Sequence, residues 1–323
     1  MNKILIAGFG DIAIRVAKRL GSKAQLYGLV RNPAYFSKLR ESGVTPLLCD
    51  LDDRQSLQRI SGLAHTVLHF APPPLAPPTV TKKLQDTRTR NLLSALSQGQ
   101  LPRRFIYIST SGVYGDCKSE FVDETRPTHA KNTRAKLRVD AEQQIRHWAK
   151  LNGVHACILR VPGIYATDRL PVERIRKGTP AIVDSEDGYT NHIHADDLAR
   201  IVIAALQHGK PNRIYHTVDD SQMKMGTYFD MVAKAFELPS APRITRADAQ
   251  KVLSPMLLSF MNESRRLTNK RMKQELKVRL LYPTVFEALQ EITMTDIKLR
   301  YLSQPVAQAS ALPRQTQLPL PLF

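Results

Sequence analysis

A glycine-containing segment follows the first apolar run of this chain and has the spacing of a phosphate-binding turn. Residues 3–7 (KILIA) predict a short buried strand, and GFGDIA at residues 8–13 follows it directly with the pattern GxGxxA. In such a turn the first glycine permits a tight bend, the second lets backbone approach a pyrophosphate, and the small last residue lets helix and strand pack closely. The next helix would direct unpaired backbone N–H groups at the anion. We therefore predict dinucleotide binding by Gly8, Phe9, Gly10, Asp11, Ile12 and Ala13.

The end of the second predicted strand carries a residue that bears on the choice of cofactor. Rossmann domains that bind NAD usually have an acidic residue about 20 residues beyond the glycines, which bonds the ribose 2′-hydroxyl. This chain has Arg31 instead. A guanidinium can grip a 2′-phosphate with two N–H groups. The sequence therefore favours NADP, with NAD as the alternative if Arg31 is a solvated loop residue.

Further cofactor contacts are expected where later strands end, because open α/β sheets bind ligands at the carboxyl ends of their strands. Asp50 and Leu51 follow the third strand and would lie near the adenine. Phe70 and Ala71 follow the fourth strand and would line the pyrophosphate and nicotinamide side. Val161 completes the predicted cofactor-binding set.

Polar residues in the second half of the chain suit a pocket for a small anionic substrate. Arg160 ends a strand at the ligand-binding edge, and Arg169 follows the turn that contains Tyr165. Arginine is well suited to a diphosphate. We predict that Arg160, Tyr165, Arg169 and His192 bind substrate. Asp196 and its neighbour at 197 are expected to cap the next helix, and no metal site is predicted.

The elements that would position these residues alternate between strands and helices. Strand-like runs cover residues 25–30, 45–48, 66–69, 104–108 and 155–160, and helical patterns cover 34–42, 56–60, 80–97 and 131–150. This alternation predicts βαβ units with right-handed crossovers. The predicted fold class is therefore α/β, a Rossmann-type doubly wound parallel sheet.

Beyond about residue 160 the helical patterns dominate. They cover residues 195–207, 226–236, 246–263, 269–273 and 283–291, with one more strand at 212–216. We predict a Rossmann domain over 1–165, to which 192–218 return, and a small, mostly helical substrate-binding cap from 166–191 and 219–300. Residues 301–323 are rich in Ser, Gln, Ala and Pro and predict a disordered tail.

Composition narrows the class of protein and its partners. The chain has 323 residues, 42% of them hydrophobic, which suits one large or two modest domains. It contains neither an apolar run of membrane-spanning length nor a signal-peptide pattern, so no membrane partner is expected. Three cysteines without metal-ligand spacing favour a reducing cytoplasm. The net charge of +18 favours phosphorylated cofactors, nucleotide-linked substrates or nucleic acid, or else reflects solvated helix faces.

Several segments in order resemble the extended short-chain dehydrogenase/reductase superfamily, in its NAD-dependent epimerase/dehydratase group. They are GFGDIA at 8–13, CDLDD at 49–53, ISTSGVYG at 108–115, LRVPGIYA at 159–166 and NHIHADDLA at 191–199. Together they cover roughly residues 1–290. The resemblance implies a Rossmann domain with a small substrate-binding domain. It also implies chemistry on the sugar of a nucleotide-linked substrate.

The same resemblance implies a catalytic set with one member missing. The family uses a Ser/Thr that orients the substrate oxygen and a Tyr that is the general acid/base. It also uses a Lys, four residues after the Tyr, that lowers the pKa of the Tyr and holds the nicotinamide ribose. Thr110 and Lys136 match the first and last, but Asn132 occupies the Tyr position. An amide cannot shuttle a proton near neutrality. The chain resembles atypical members, similar to nucleoside-diphosphate-sugar epimerases, that lack this Tyr.

Two interpretations of the missing Tyr remain open. Another group supplies the proton, and the candidates by proximity in sequence are Tyr114, His129, Lys131 and Tyr165. We include Tyr114, four residues after Thr110, with the predicted catalytic residues. The predicted protein is then an NAD(P)-dependent epimerase, dehydratase or reductase with a non-standard proton donor. The alternative is a catalytically inactive, cofactor-binding sensor or scaffold.

The end of the chain carries a separate candidate motif. Residues 317–323 (QLPLPLF) fit QxxLxLF and resemble the peptide by which bacterial replication and repair proteins dock on the sliding clamp. Leu320, Leu322 and Phe323 would enter an apolar cleft, with Gln317 as a hydrogen-bonding anchor. The alternative is a frayed tail or one that folds back on the domain. A homodimer through paired helices is a further option that the resemblance suggests.

Overall fold

The protein is built on a parallel sheet covered by helices on both faces, with shorter elements gathered beyond one edge. The computed structural model describes residues 2–74 and 84–292. Its strands are β1 Asn2–Ala7, β2 Ala24–Val30, β3 Val44–Leu48, β4 Thr66–His69, β5 Arg104–Thr110, β6 Phe121–Val122, β7 His155–Val161, β8 Gly163–Tyr165, β9 Ala181–Ile182, β10 Tyr189–Thr190, β11 His192–His194, β12 Arg213–His216, β13 Met223–Lys224, β14 Arg243–Ile244 and β15 Arg266–Leu267. Its helices are α1 Asp11–Leu20, α2 Phe36–Glu41, α3 Thr87–Leu96, α4 Thr133–Asn152, α5 Val172–Arg176, α6 Ala195–His208, α7 Met225–Ala235, α8 Arg246–Val252, α9 Pro255–Met261, α10 Lys270–Glu275 and α11 Val285–Ile292.

The strand order of the central sheet creates one ligand-binding crevice. Seven strands lie in the order β12-β7-β5-β4-β1-β2-β3, and every neighbouring pair is parallel. The chain runs from β1 to β2 and β3 on one side and then crosses to β4 on the other. Open α/β sheets bind ligands outside the carboxyl ends of the strands at such a reversal. The predicted doubly wound α/β fold is confirmed.

Both faces of the central strands are buried, which explains the nearly continuous apolar runs in the sequence. Side chains alternate along a strand, so Ile4 and Ile6 lie in one apolar cluster and Leu5 and Ala7 in another. Helices α1 and α6 cover the first face, and α3 and α4 cover the second. A strand covered on both faces is typical of a parallel sheet.

Local reasons explain two of the differences between predicted and observed helices. The predicted helix at 56–60 is a short 3-10 turn at Gln58–Ile60. The predicted helix at 246–263 divides into α8 and α9, because Pro255 begins α9 and its ring disfavours helical backbone in the residue before it. Ser254 caps α9 by accepting from the N–H of Leu257 at 3.4 Å.

The shorter elements have apolar cores of their own. Helices α5, α7 and α11 pack around one cluster, which also contains Tyr165, and α8 and α9 pack around another with Ile182. The predicted division between a Rossmann domain ending at 165 and a cap stays a prediction. The predicted disordered tail (301–323) and the clamp-like peptide (317–323) lie outside the described residues. Within the described ranges, no helix is long and apolar enough to cross a bilayer.

Candidate cofactor and substrate site

The turn between β1 and α1 is tightly folded on one side and open on the other. Gly8 has a φ of +96°, and a Cβ there would lie 2.3 Å from the backbone nitrogen of Ala71. A Cβ at Gly10 would meet no atom within 4 Å. Gly8 therefore lets the turn pack against the next loop, whereas Gly10 faces free space at the N-terminus of α1. This is the arrangement that a diphosphate requires.

The rest of the predicted glycine motif supports this turn from behind. Ile12 and Ala13 lie on the buried face of α1, and Phe9 is partly buried against the same apolar cluster. The loop after β4 folds over the end of β1, because the N–H groups of Phe70 and Ala71 both donate to the carbonyl of Ala7, at 2.8 and 2.9 Å. The predicted diphosphate-binding residues therefore lie together at the switch point of the sheet.

The predicted adenosine side carries an exposed arginine beside several carboxylates. Arg31 is exposed directly after β2. The pKa of Asp52 is lowered by hydrogen bonds from Arg88, and the charge of Arg31 adds to this effect. Asp50 accepts from the N–H of Asp52 at 3.0 Å, which closes its own loop. Leu51 is buried in the sheet core, so it supports this loop and presents little surface to a ligand.

Thr110 and the first turn of α4 lie side by side at the carboxyl edge of the sheet. Thr110 ends β5 and pairs with Val161 at the end of β7. A Cβ at Gly112 would lie 3.5 Å from Oγ1 of Thr110 and 4.0 Å from Cβ of Ala135. Lys136, the next residue of α4, is exposed. The structure therefore brings the Thr110 strand end and the Lys136 helix to one edge.

Asn132 is the N-cap of α4. Its Oδ1 accepts from the N–H of Ala135 at 2.8 Å, and its φ and ψ of −86° and 156° lie outside the helical region. The amide of Asn132, at the position where the resemblance implies a Tyr, therefore satisfies a helix end. It supplies no acid or base.

Tyr114 and Arg160 are core residues, which corrects two predictions. Tyr114 is 1% exposed, and its hydroxyl lies 2.6 Å from Nη1 of Arg160 and 2.6 Å from Nε2 of His216. Arg160 also makes a bidentate ion pair with Glu142, at 3.1 and 2.6 Å. Burial raises the pKa of Tyr114 to about 12, although Arg160 opposes that shift. A catalytic Tyr114 and a substrate-binding Arg160 do not fit this placement, because both polar ends are already bonded inside the protein.

The imidazole of His216 extends this buried network to the segment after β15. Its Nδ1 lies 3.0 Å from the carbonyl oxygen of Thr268, which can only accept, so Nδ1 carries the hydrogen. Burial lowers the pKa of His216 to about 3, so the ring is neutral. Its Nε2 therefore accepts from the Tyr114 hydroxyl. The chain of bonds joins β7, β12 and the segment after β15.

Tyr165 and His192 also have little surface to offer a ligand. They lie on β8 and β11, which pair in parallel, and they are 1% and 4% exposed. The ring of His192 lies 4.2 Å from that of Tyr228, and burial lowers the pKa of His192 to about 3. Both side chains are buried inside the protein, and the predicted substrate contacts do not fit this placement.

Arg169 is the predicted substrate residue that does reach the glycine turn. It lies in a 3-10 turn, Thr167–Arg169, directly after β8. Its Nη1 is 3.1 Å from Oδ2 of Asp11, the first residue of α1. The structure therefore places Arg169 on the cofactor side of the crevice.

Sequence reasoning missed two buried charged residues near the site. Arg138 on α4 is 5% exposed and donates to the carbonyls of Ala71 and Ile108, at 3.3 and 2.8 Å. It therefore holds the loop after β4 against α4. Its position on the same helical face as Ala135 and Glu142 was the available signal.

Asp219, the second of these residues, lies after β12. Burial raises its pKa to about 8, although hydrogen bonds from Ser221 oppose that shift.

The described residues contain no group of three or more His, Cys, Asp or Glu side chains arranged to hold a metal ion. The polar groups at the carboxyl edge include backbone N–H groups, hydroxyls and cations, together with carboxylates such as Asp11 that pair with those cations. These groups fit a phosphorylated organic ligand.

Fold and site together define a Rossmann-type dinucleotide-binding protein. The model of the NAD dependent epimerase/dehydratase family matches residues 4–217, and the chain belongs to this family. The expected family is confirmed.

Two characterised relatives match part of the chain. It is 25% identical to the human (Homo sapiens) dTDP-D-glucose 4,6-dehydratase over 172 residues, which cover 50% of this chain but only 47% of that enzyme. It is 23% identical to the GDP-6-deoxy-D-mannose reductase of Pseudomonas aeruginosa over 215 residues, covering 59% of this chain and 71% of the reductase. The chain thus spans about half the length of the human relative.

Solved structures match nearly the whole chain. A conserved protein of unknown function from Silicibacter pomeroyi has 27% identity and a TM-score of 0.73, over 91% of this chain and 98% of its own. The UDP-glucose 4-epimerase of Thermotoga maritima, solved with UDP-glucose, has 17% identity and a TM-score of 0.72, over 93% and 100%. The UDP-glucuronic acid 4-epimerase of Bacillus cereus, solved with UDP-glucuronic acid and NAD, has 20% identity and a TM-score of 0.70, over 92% and 99%. These two epimerases are similar to this chain in fold.

Proposed function

We propose that this chain binds NADP(H) at the β1–α1 turn and acts on a nucleotide sugar or a similar anionic substrate. The reaction would be an epimerisation, dehydration or reduction. The observation that carries the proposal is the contrast between Gly8, which is packed against Ala71, and Gly10, which faces free space. Such a turn at the switch point of a doubly wound sheet suits the diphosphate of a dinucleotide.

The residues at the carboxyl edge would divide the work. The nicotinamide, when bound, supplies a hydride acceptor or donor. Thr110 would orient the substrate oxygen through its hydroxyl. Lys136 would hold the nicotinamide ribose through its exposed ammonium group. These two roles rest on the family resemblance and on the shared position of the two residues at one edge.

The proton donor would come from the segment just before α4. Tyr114 and Tyr165 are buried, so of the four candidates His129 and Lys131 are the exposed ones. The N–H of His129 donates to the carbonyl of Val113 at 2.8 Å. A Cβ at Gly115 would lie 3.6 Å from Cγ of Lys131. Both residues therefore lie against the turn that follows Thr110.

Cofactor preference tests the first part of the proposal. We expect the chain to bind NADPH more tightly than NADH, and Arg31→Gln to weaken NADPH binding by about ten-fold or more while sparing NADH. Fluorescence titration with each dinucleotide measures both affinities, and NADH binding by the same variant is the internal control. Equal loss of both dinucleotides would argue against a 2′-phosphate contact.

Turnover tests the second part. The substrates tested are UDP-glucose, UDP-glucuronic acid and dTDP-glucose. The assay measures the change between reduced and oxidised nicotinamide and the formation of the sugar product. Lys136→Met should abolish any turnover found, whereas Lys150→Met, on the exposed last turn of α4, should leave it unchanged. His129→Gln and Lys131→Gln identify the proton donor. Full activity in Lys136→Met would place the active site elsewhere, and dinucleotide binding without any turnover would favour a non-catalytic sensor.

Two further expectations belong to this proposal. Cys49, Cys117 and Cys157 are buried and unpaired thiols, which suits a reducing compartment, so we propose the cytoplasm. Docking on a sliding clamp through residues 317–323 stays a prediction from the sequence. Deleting those residues should abolish clamp capture and preserve NADPH binding, and unchanged capture would contradict it.

A further inference from the structure

An ion-pair cluster connects the first turn of the cap with the helix that would hold the cofactor diphosphate. Asp11 accepts from Nε of Arg15 at 3.0 Å and from Nη1 of Arg169 at 3.1 Å. Arg15 also lies 3.1 Å from Asp196 and 3.6 Å from Asp168. Arg169 comes from the cap side and the other cation, Arg15, from α1 itself. Asp11 thus links the Thr167–Arg169 turn to α1 at the proposed diphosphate site.

The charge of Asp11 is unfavourable for the ligand proposed at this turn. Asp11 is the first residue of α1, and its side chain is 36% exposed. A carboxylate so close to the helix N-terminus would repel a bound diphosphate unless nearby cations compensate it. Arg169 provides such compensation, and its side chain is only 9% exposed. A guanidinium in this position can also bond phosphate oxygens directly, since it presents several N–H groups in one plane.

We infer that Arg169 binds the cofactor diphosphate together with the N-terminus of α1, and that Asp11, which pairs with this guanidinium before the cofactor arrives, competes with the diphosphate for it. The inference rests on the proposed function and adds to it a cofactor contact from the cap. The predicted substrate role of Arg169 is replaced by this one. Binding of the dinucleotide would then tighten the Thr167–Arg169 turn against α1.

Two substitutions that break the same ion pair separate this role from simple packing. Arg169→Gln removes a cation that the diphosphate needs, and we expect about ten-fold weaker binding. Asp11→Asn removes a competing carboxylate, and we expect binding at least as tight as in the unmodified chain. If the pair only stabilised the fold, both substitutions would change affinity in the same direction.

The experiment titrates the full-length chain and its variants with NADPH, NADH and ADP-ribose. The diphosphate is common to all three, so Arg169→Gln should weaken each of them by a similar factor, unlike Arg31→Gln. Arg19→Gln is the matched control. Arg19 lies on the same helix and pairs with Asp196 at 3.1 Å, but about 12 Å further along the axis, and its loss should leave affinity unchanged.

Thermal melting without ligand shows that each variant is folded. If Arg169→Gln fails to fold, Arg169→Lys and Asp11→Asn carry the test, with partial loss expected for the first. Unchanged affinity in Arg169→Gln, or weaker binding in Asp11→Asn, would overturn the inference and leave the proposed function intact. Failure of the unmodified chain to bind any of the three ligands would overturn both.

Discussion

Asn132 has a structural role at the start of α4. The residue lies just outside α4, and its amide oxygen accepts from the N–H of Ala135 at 2.8 Å. A helix start leaves backbone donors without partners, and a short polar side chain at the N-cap satisfies one of them. A tyrosine hydroxyl is too far from its own backbone to do this. The asparagine therefore stabilises the start of α4 and supplies no acid–base group.

Substitution at position 132 tests this structural role. Asn132→Asp keeps a capping oxygen and should leave the free energy of unfolding nearly unchanged, whereas Asn132→Tyr should lower it by about 1 kcal/mol. Urea unfolding followed by circular dichroism measures both. Equal stability of Asn132→Tyr and the unmodified chain would show that the cap contributes nothing.

At the scale of elements, the two glycines of the β1–α1 turn have different roles, one in folding and the other in the proposed ligand binding. A Cβ at Gly8 would overlap the backbone of Ala71, and the φ of +96° disfavours any other residue. A Cβ at Gly10 would meet nothing in the protein but would occupy the space proposed for the diphosphate. One glycine therefore serves the fold, and the other serves the ligand.

Matched alanine substitutions should show this difference. Gly8→Ala should destabilise the protein by several kcal/mol or prevent folding, because backbone atoms on both sides cannot easily move. Gly10→Ala should melt within about 2 °C of the unmodified chain, since its stability change stays small, and yet bind NADPH at least ten-fold more weakly. Thermal melting and dinucleotide titration check the pair. Normal NADPH binding by Gly10→Ala would remove the main support for the proposed site.

The local elements of the fold could be predicted from the sequence, whereas contacts between distant parts of the chain could not. The strands and the glycine turn follow local rules, so the observed Thr66–His69 has the predicted bounds, and β5 and β7 are only slightly longer than expected. The partners of Tyr114 were not predictable, because Arg160 and His216 lie 46 and 102 residues further along the chain. No local sequence pattern indicates contacts between residues so far apart in the chain. An arginine at a strand end therefore suggested a ligand contact when its partner was Glu142 in the core.

At the scale of the whole molecule, buried histidines couple stability to pH. Burial lowers the pKa values of His69, His192 and His216 from 6.5 to about 3. Unfolding exposes all three rings, which then take up protons below pH 6.5. Their contribution is fully present above pH 6.5 and is lost as the pH falls toward 3. Each ring can remove up to about 1.4 kcal/mol of unfolding free energy per pH unit over this range.

Asp219 acts with the opposite sign. Its pKa is raised by burial from 3.8 to about 8, so the folded protein holds a proton that the unfolded chain releases. Its contribution is fully present below about pH 4 and is lost as the pH rises through 8. Between pH 4 and 6.5 the three histidines and this one carboxyl oppose each other. Unfolding then takes up about two protons from these groups near pH 5 and fewer toward pH 6.5, where the unfolded imidazoles are half protonated, so stability should still decrease as the solution becomes more acidic.

Urea unfolding at pH 5.0, 5.5, 6.0 and 6.5 tests this balance with two variants that change the proton count by one in opposite directions. His192→Phe keeps an aromatic ring against Tyr228 and removes one proton taken up on unfolding, so its stability should fall less steeply toward low pH. Asp219→Asn removes the opposing group, so its stability should fall more steeply. The slopes should differ from the unmodified chain by about 1 kcal/mol per pH unit, in opposite directions. Parallel slopes in all three proteins would mean that these buried groups do not titrate on unfolding, and that acid sensitivity arises elsewhere in the molecule.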